Sequence, residues 1–346
     1  MNRTPFFLLP LLALGCNKDD DATETGLIDT EDTQPDSDSG MEETGDTDTD
    51  TDTEEPCLAE VLEITPEDGE DDVFYRDALT VAFTEDASQA VFALTNDTSG
   101  EVVSTTTSWG TGNLMATLTP GVPLQGSTVY TLTASICEVT SHASFETSAY
   151  GQPIEGGNET LTGKTSVLLF ENVNFTQPEN IGSILSLYFD VPLLVGVLGA
   201  DSAEIDVVAA LGYFDNVAGY KQRMNEPTWT FGQVSLDESA YFTGAVSELD
   251  LGYGNVSIPV YNFGLSGTFS PDASHFAGGT LSGKVDTRHM APLLGETDEN
   301  AACELVGALG VSCEPCPDGE EFCLTIFGEE IVSEEVPGVT LVEVAE

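Results

Sequence analysis

The sequence predicts a mainly β protein: a β-sandwich, then a larger β-rich domain with a curved sheet or partly closed barrel, a short helix and a disulfide-rich C-terminal end. Three observations carry this. Short, β-branched, partly alternating segments recur between turn signals from residue 79 to 148. Two glycine-bearing strands flank a Pro-Asp turn near residue 271. Four cysteines crowd into residues 303–323.

The chain begins with Arg3 and an apolar run over residues 6–14, closing on "LLALGC" at Cys16. This is the layout of a secretory signal peptide, and the run is too short to span a bilayer. The Leu-Ala-Leu-Gly-Cys ending resembles a bacterial lipobox, which implies cleavage before Cys16 and acylation of its thiol. Two or three acyl chains, at about 0.8 kcal/mol per buried methylene, anchor stably. The sorting residues after Cys16 ("NKDDD", 17–21) resemble the Lys-then-acid export signal of surface lipoproteins, which implies an outer-membrane protein displayed outward.

Residues 17–55 are almost wholly Asp, Glu, Thr, Ser and Gly, ending in "DTDTDTDTEE" (46–55). Such a stretch cannot bury enough to offset its ordering entropy, so a disordered tether is expected. Extended, it spans on the order of 130 Å, and as a coil about 35 Å. An EF-hand loop starting at Asp46 fails, because its sixth and twelfth places hold Thr51 and Cys57 instead of Gly and Glu. Weak divalent-cation binding remains as the alternative to a plain spacer.

With 61 acidic and 8 basic residues the net charge is -53. No basic footprint exists for nucleic acid, and an anionic membrane surface repels such a chain. The partners expected are the membrane through the anchor, envelope or cell-surface proteins, and glycans.

Residues 57–149 read as strands at "LTVAF" (79–83), "AVFALT" (90–95), "EVVSTTTSW" (101–109), "LMATLTP" (114–120), "VYTLTASI" (129–136) and "ASFETS" (143–148), with no helical pattern. About 90 residues of short strands make a sandwich. The stretches "ITPEDGEDDVFYRDALTVAFTE" (64–85), "ATLTPGVPLQGSTVYTLTAS" (116–135) and "FETS" (145–148) resemble bacterial Ig-like domains of the S-layer (SbsA) type. The resemblance implies a spacer or stalk, and a tyrosine corner at Tyr130. Cys57 and Cys137 depart from that pattern and are read as a disulfide joining the first strand to a late one.

Residues 150–346 open with "KTSVLLFENVNF" (164–175), read as a strand. The greasiest stretch, residues 181–199, contains Asp190 and Pro192 and so is no transmembrane helix. It reads as core, or as the wall of a pocket for a lipid or other apolar ligand. Strands over 260–270 and 275–287 form a hairpin about "PDAS", and their glycines mark bulges or curvature. "ENAACELVGALG" (299–310) reads as a short helix ending at Gly310. The region resembles the C-terminal part of acidic, Asp/Thr-tethered lipoproteins of myxobacteria-like bacteria, a resemblance without a mechanism.

Removing Cys16 leaves six cysteines, an even number suited to three disulfides in an exported chain. The pairing among Cys303, Cys313, Cys316 and Cys323 stays open, Cys303–Cys316 with Cys313–Cys323 being one of three. A zinc site lacks its paired Cys-x-x-Cys repeat. Cys-Glu-Pro-Cys has the form of a redox motif, but Pro317-Asp318-Gly319 makes a turn where such a motif opens a helix. His142, His275 and His289 fall in no zinc or hydrolase motif, and phosphate-loop and dinucleotide fingerprints are absent. Asp286 and Arg288, two apart, are read as a strand-face ion pair. No cofactor and no metal is expected. The composite reading is a non-enzymatic envelope, adhesion or interaction module. The alternatives are a binder of hydrophobic ligands, or a hydrolase built on carboxylates.

Overall fold

Leu79, Val81 and Phe83 alternate with half-buried Thr80 and Ala82, and this period of two builds the first sheet. The computed structural model describes residues 57–178, 191–251 and 256–345. The segments read as a signal peptide, an acylated Cys16 and a disordered tether therefore lie outside the described residues. Pro56–Glu346 form one compact unit.

Nine strands make a two-sheet sandwich. One sheet orders β1 (Val61–Thr65), β3 (Leu79–Phe83), β7 (Met115–Pro120) and β6 (Thr105–Trp109). The other orders β2 (Glu70–Val73), β9 (Val139–Thr147), β8 (Val129–Ile136), β4 (Val91–Asn96) and β5 (Val102–Val103). Leu79, Val81, Leu94, Leu118, Leu132 and Phe145 fill the space between them. The single strand read over 101–109 is corrected here. It breaks at Ser104, because Val102 and Val103 pair with β4 while Thr105–Trp109 crosses to β7 in the opposite sheet. Tyr130 donates no sheet bond with its hydroxyl; the oxygen accepts from the Gln125 backbone N–H at 2.9 Å, the tyrosine-corner arrangement.

The remaining strands are β10 (Thr165–Leu168), β11 (Asn174–Gln177), β12 (Leu193–Ala200), β13 (Glu204–Asp215), β14 (Gly219–Gln222), β15 (Thr228–Ser235), β16 (Tyr241–Asp250), β17 (Pro259–Phe269), β18 (Phe276–Asp286) and β19 (Cys323–Glu335). The ladder runs β13-β12-β10-β19-β18-β17-β16, with β14 at the far edge. β15 pairs with β13 and turns back to β16 through a bridge at Leu236 and Phe242. The sheet thus curls round until its ends meet at one hairpin, a partly closed barrel. Its interior is filled by side chains such as Val195, Val207, Phe242, Phe263, Leu281 and Ile326, as a ring of about eight strands requires.

The segment read as one strand over 164–175 is also two. Glu171 and Asn172 make an exposed 3₁₀ turn at Phe170–Asn172, which aims Phe170 into the barrel. β10 and β11 then pair with successive parts of β19. β12 is apolar on both sides for a physical reason. Leu193, Val195 and Val197 enter the barrel core, while Leu194 packs outside beneath Val336 and Leu341 of the C-terminal tail. Residues 181–190 of the greasy stretch lie outside the described residues.

Bulges reset the inward face of three neighbouring strands. Inward positions pass from Val260 to Phe263 in β17, from Phe276 to Leu281 in β18, and from Ile326 to Ile331 in β19. Asn262, Gly278 and Glu330 take positive φ where the phase changes. The helix α1 (Ala301–Gly307) is shorter than its sequence pattern, and the chain turns over to Gly310, whose φ of 86° suits glycine. No helix among the described residues is long and apolar enough to cross a membrane.

Candidate functional site

Residues 74–78 connect β2 to β3 and carry Phe-Tyr-Arg-Asp-Ala against the barrel. Tyr75 is fully buried in the sandwich core, yet its hydroxyl reaches Ser239 Oγ and Thr268 Oγ1, both at 3.0 Å. The Arg76 Nε–H donates to the same phenol oxygen at 2.9 Å. The Arg76 guanidinium also pairs with Asp237 at 2.7 Å and lies 3.9 Å over the Tyr241 ring. The phenol has one proton for two hydroxyl neighbours, so the network is directional and fully used. Phe74 lies against Gly278, in the space where any Cβ would sit. The β18 bulge therefore needs glycine for both its positive φ and this close approach. Tyr150 completes the junction, its hydroxyl 2.7 Å from His275 Nε2.

Beside this junction opens a groove of about 630 Å³. Its walls include Asp72, Asp77, Glu329 and Glu330 together with the rings of Phe74 and Tyr150. Asp77 is exposed as a residue, but protein atoms crowd its carboxyl. That desolvation pushes its pKa up, and the charges of Glu330 and Glu70 push the same way against a backbone hydrogen bond at Phe74. Desolvation, with Asp72 and Asp272 adding to it, raises the Tyr150 phenol to about 12. Ser148 also lines the groove. It is 5% exposed, and its Oγ has no hydrogen-bond partner.

The structure joins Cys57 to Cys137, Cys303 to Cys313, and Cys316 to Cys323. The last two bonds staple the segment between α1 and β19. Cys313 and Cys316 are thus bonded to different partners, and Pro317-Asp318-Gly319 lies in a turn closed by Gly319 N–H to Cys316 O. The strand-face argument for Asp286 and Arg288 needs correction. β18 ends at Asp286, and Arg288 sits on the following 3₁₀ turn Thr287–Leu294. The two still pair at 2.6 Å, and Arg288 reaches Asp318 at 2.7 Å, so one guanidinium ties β18 to the stapled segment. Both lie near a second cavity of about 850 Å³ whose wall includes Tyr261 and His289.

Asp286 is 1% exposed. Desolvation raises its pKa, but the Arg288 hydrogen bonds and charge outweigh this and hold it below the ordinary carboxylate value. A depressed folded pKa contributes stability that is present above the unfolded value, near 3.9, and is lost as pH falls through the folded one. Urea unfolding between about pH 4 and pH 2 should therefore show a steeper loss in wild type than in Asp286→Asn. Equal slopes would show that the pair contributes nothing to acid stability.

His142, His275 and His289 lie on β9, the β17–β18 turn and the 3₁₀ turn after β18. Among the described residues no group of three or more His, Cys, Asp or Glu is placed to hold a metal ion. Phe74, Tyr75, Arg76, Asp77, Ser148 and Glu330 were not singled out from sequence. The available signal was "FYRD" (74–77), with one of only eight basic residues in the chain beside two aromatics.

Residues 52–153 match the family model of the bacterial Ig-like domain. The matched residues are those that build the sandwich. The match covers the first lobe of the described structure and leaves the barrel outside it. No curated protein matches the chain. Among solved structures, the S-layer protein rSbsC(31-844) is similar at 10% identity and a TM-score of 0.21, over 80% of this chain and 52% of that one. Domains 1–6 of the surface layer protein SbsC give 11% identity and 0.21 over the same shares. The chain thus spans about half of each, and neither overlap is close enough to describe the architecture seen here.

Proposed function

We propose that this protein is a non-enzymatic structural or interaction module of a bacterial cell surface, held to the outer membrane by acylated Cys16 and carried on the acidic tether. The observation that carries this reading is the Ig-like sandwich, locked by buried side chains to a second β body in one compact unit. Ig-like sandwiches serve widely as spacers and binding scaffolds, and the fold by itself supplies no chemistry. Three disulfides among the six described cysteines suit an oxidising, exported setting. The lipobox-like "LALGC" and the 39-residue acidic stretch supply anchor and reach.

Fractionation tests the anchor. Wild type partitions with the outer membrane, and Cys16→Ala appears folded in the soluble fraction. A Cys16→Ala protein that remains in the membrane fraction ends the lipid-anchor reading. Protease treatment of intact cells reports display, since a surface-exposed tether is cut while cells stay whole. The hydrolase alternative rests on Asp77 and Glu330 sharing a groove, a raised carboxyl beside a second one. It predicts turnover of a chromogenic glycoside or ester that Asp77→Asn abolishes, and the present reading predicts no turnover.

A further inference from the structure

The described residues include six Lys and Arg. Arg76, Lys164 and Lys284 pair with Asp237, Glu335 and Glu314, and Arg288 pairs with Asp286 and Asp318. Lys221 and Arg223 form no ion pair among the described residues, in a chain with 61 acidic ones. Both stand on or just beyond the edge strand β14. Arg223 gives its Nε–H to the Gly212 carbonyl at 2.9 Å, and Lys221 acts on Asp215 through space. The same hairpin carries exposed apolar groups. β13 outruns its neighbours: its pairing with β15 ends at Ala210 and with β12 at Leu211. From Gly212 to Asp215 it pairs with β14 alone among the described residues, so a two-stranded ribbon extends past both neighbouring strands. Cross-strand partners share a face. Phe214 and Tyr220 therefore lie on one side, rings 5.0 Å apart, and Tyr213 and Lys221 on the other. Phe214 is 59% exposed and Val217, in the turn, 96%; Tyr213 and Met224 are exposed as well. Asp215, the one acid between Gly212 and Met224, closes the turn by accepting from the Val217 and Ala218 N–H groups at 2.8 and 2.9 Å. Such turns favour Gly, Asn and Asp, so the turn geometry gives no reason for valine at its most exposed position.

We propose that this hairpin dips its turn into the interfacial layer of a phospholipid bilayer, with Phe214 and Val217 entering the layer and Lys221 and Arg223 meeting lipid phosphates. Charge selects the partner. The two cations left unpaired stand beside the exposed aromatics, and a phosphate-bearing, apolar-cored surface matches both features. Geometry selects it too. Aromatic rings lie on both faces of the ribbon, and a protein groove would cover one face, whereas a bilayer surrounds what enters it. Tyrosine suits the headgroup level, where its ring is buried and its hydroxyl stays wet. The acidity of the rest of the chain opposes approach to a membrane, but at about 0.15 M salt that field is screened beyond about 8 Å, and the hairpin extends past its neighbouring strands. This contact is separate from the Cys16 anchor and does not rest on it.

The test uses the chain from residue 17 onward, which keeps the whole compact unit Pro56–Glu346 and carries no acyl group, so failure of the anchor reading cannot affect the result. Val217→Trp places a fluorescent probe in the turn, with wild type supplying the background of Trp109 and Trp229. Vesicles of phosphatidylcholine with about one-fifth phosphatidylglycerol are added up to about 1 mM lipid at about 0.15 M salt. The added emission should shift to the blue and be quenched by brominated phospholipid. Lys221→Gln/Arg223→Gln should weaken the response several-fold, and Val217→Asp in the otherwise wild-type chain should weaken vesicle flotation to a similar degree. Lys164→Gln/Lys284→Gln removes the same charge from two ion-paired sites elsewhere and should leave the response unchanged. Equal losses in both double variants would mean that net charge alone sets binding, which overturns the proposal. So would flotation without a response at position 217, or no response at all. Blue emission in buffer that lipid does not alter would show the hairpin covered by its own chain or by a second copy, and would overturn it as well. Thermal melts check folding, and Lys221→Gln alone carries the charge test if the double variant does not fold.

Discussion

Replacing Cys57 and Cys137 together by serine is expected to lower the unfolding free energy of the sandwich by about 4 kcal/mol. The bond closes a loop of 80 residues, far longer than the separations of 10 and 7 closed by the two C-terminal bonds. Long loops restrict the unfolded chain most, so this single bond carries the largest entropic effect. It also ties the chain just before β1, where the sandwich begins, to the β8–β9 turn. Urea unfolding of wild type, reduced wild type and the double variant measures it. The variant should fall well below the oxidised protein, and reduced wild type, which also loses the two C-terminal bonds, at or below the variant. Coincidence of all three would mean that Leu79, Val81, Leu132 and their neighbours hold the sandwich without help from the bond.

Tyr75→Ala is expected to cost about 4 kcal/mol, the range for deleting a large, fully buried ring. Its distinguishing consequence is the coupling between sandwich and barrel. The ring belongs to the sandwich core, but the hydroxyl holds Thr268 on β17, and Arg76 leans on that hydroxyl to reach Asp237. Truncation removes a core side chain and the network at one stroke. One cooperative melt should become two, with the barrel unfolding near its wild-type midpoint. Tyr75→Phe separates the terms. It keeps the ring and leaves the fully buried Thr268 hydroxyl and Arg76 Nε short of a partner, at about 1–3 kcal/mol. Pairing Tyr75→Phe with Thr268→Val should recover part of that loss, because the hydroxyl that would be stranded is gone. Additive losses would show that the phenol and Thr268 do not act as a unit.

Local signals were strong wherever one face of a strand is buried and its turn is tight. The β17–β18 hairpin about Pro271-Asp272 was legible, as were the β8 alternation, the corner made by Tyr130 and the crowding of cysteines before β19. The missed features depend on contacts distant in sequence. The step between sheets at Ser104 is invisible in "EVVSTTTSW", because all nine residues suit either sheet. The turn at Phe170–Asn172 follows directly on an apolar run, and Phe170 fits a strand as readily as the barrel core it enters. The same ambiguity covered β12, which is apolar on both faces only because the C-terminal tail lies over its outer side.

The sequence by itself determined the mainly β class, the extreme acidity, an even set of six cysteines after Cys16, and the Ig-like pattern. These follow from composition and from a period of two, which neighbouring residues carry unaided. The tertiary structure decided which cysteines pair, how β15 and β16 bring the sheet's ends together, and that Asp77, Ser148, Gly278 and Glu330 border one groove. Those four residues span some 250 positions. Only the pairing of β18 with β19 and the docking of Phe74 on the Gly278 bulge bring them together, and such contacts are set by the whole packed fold.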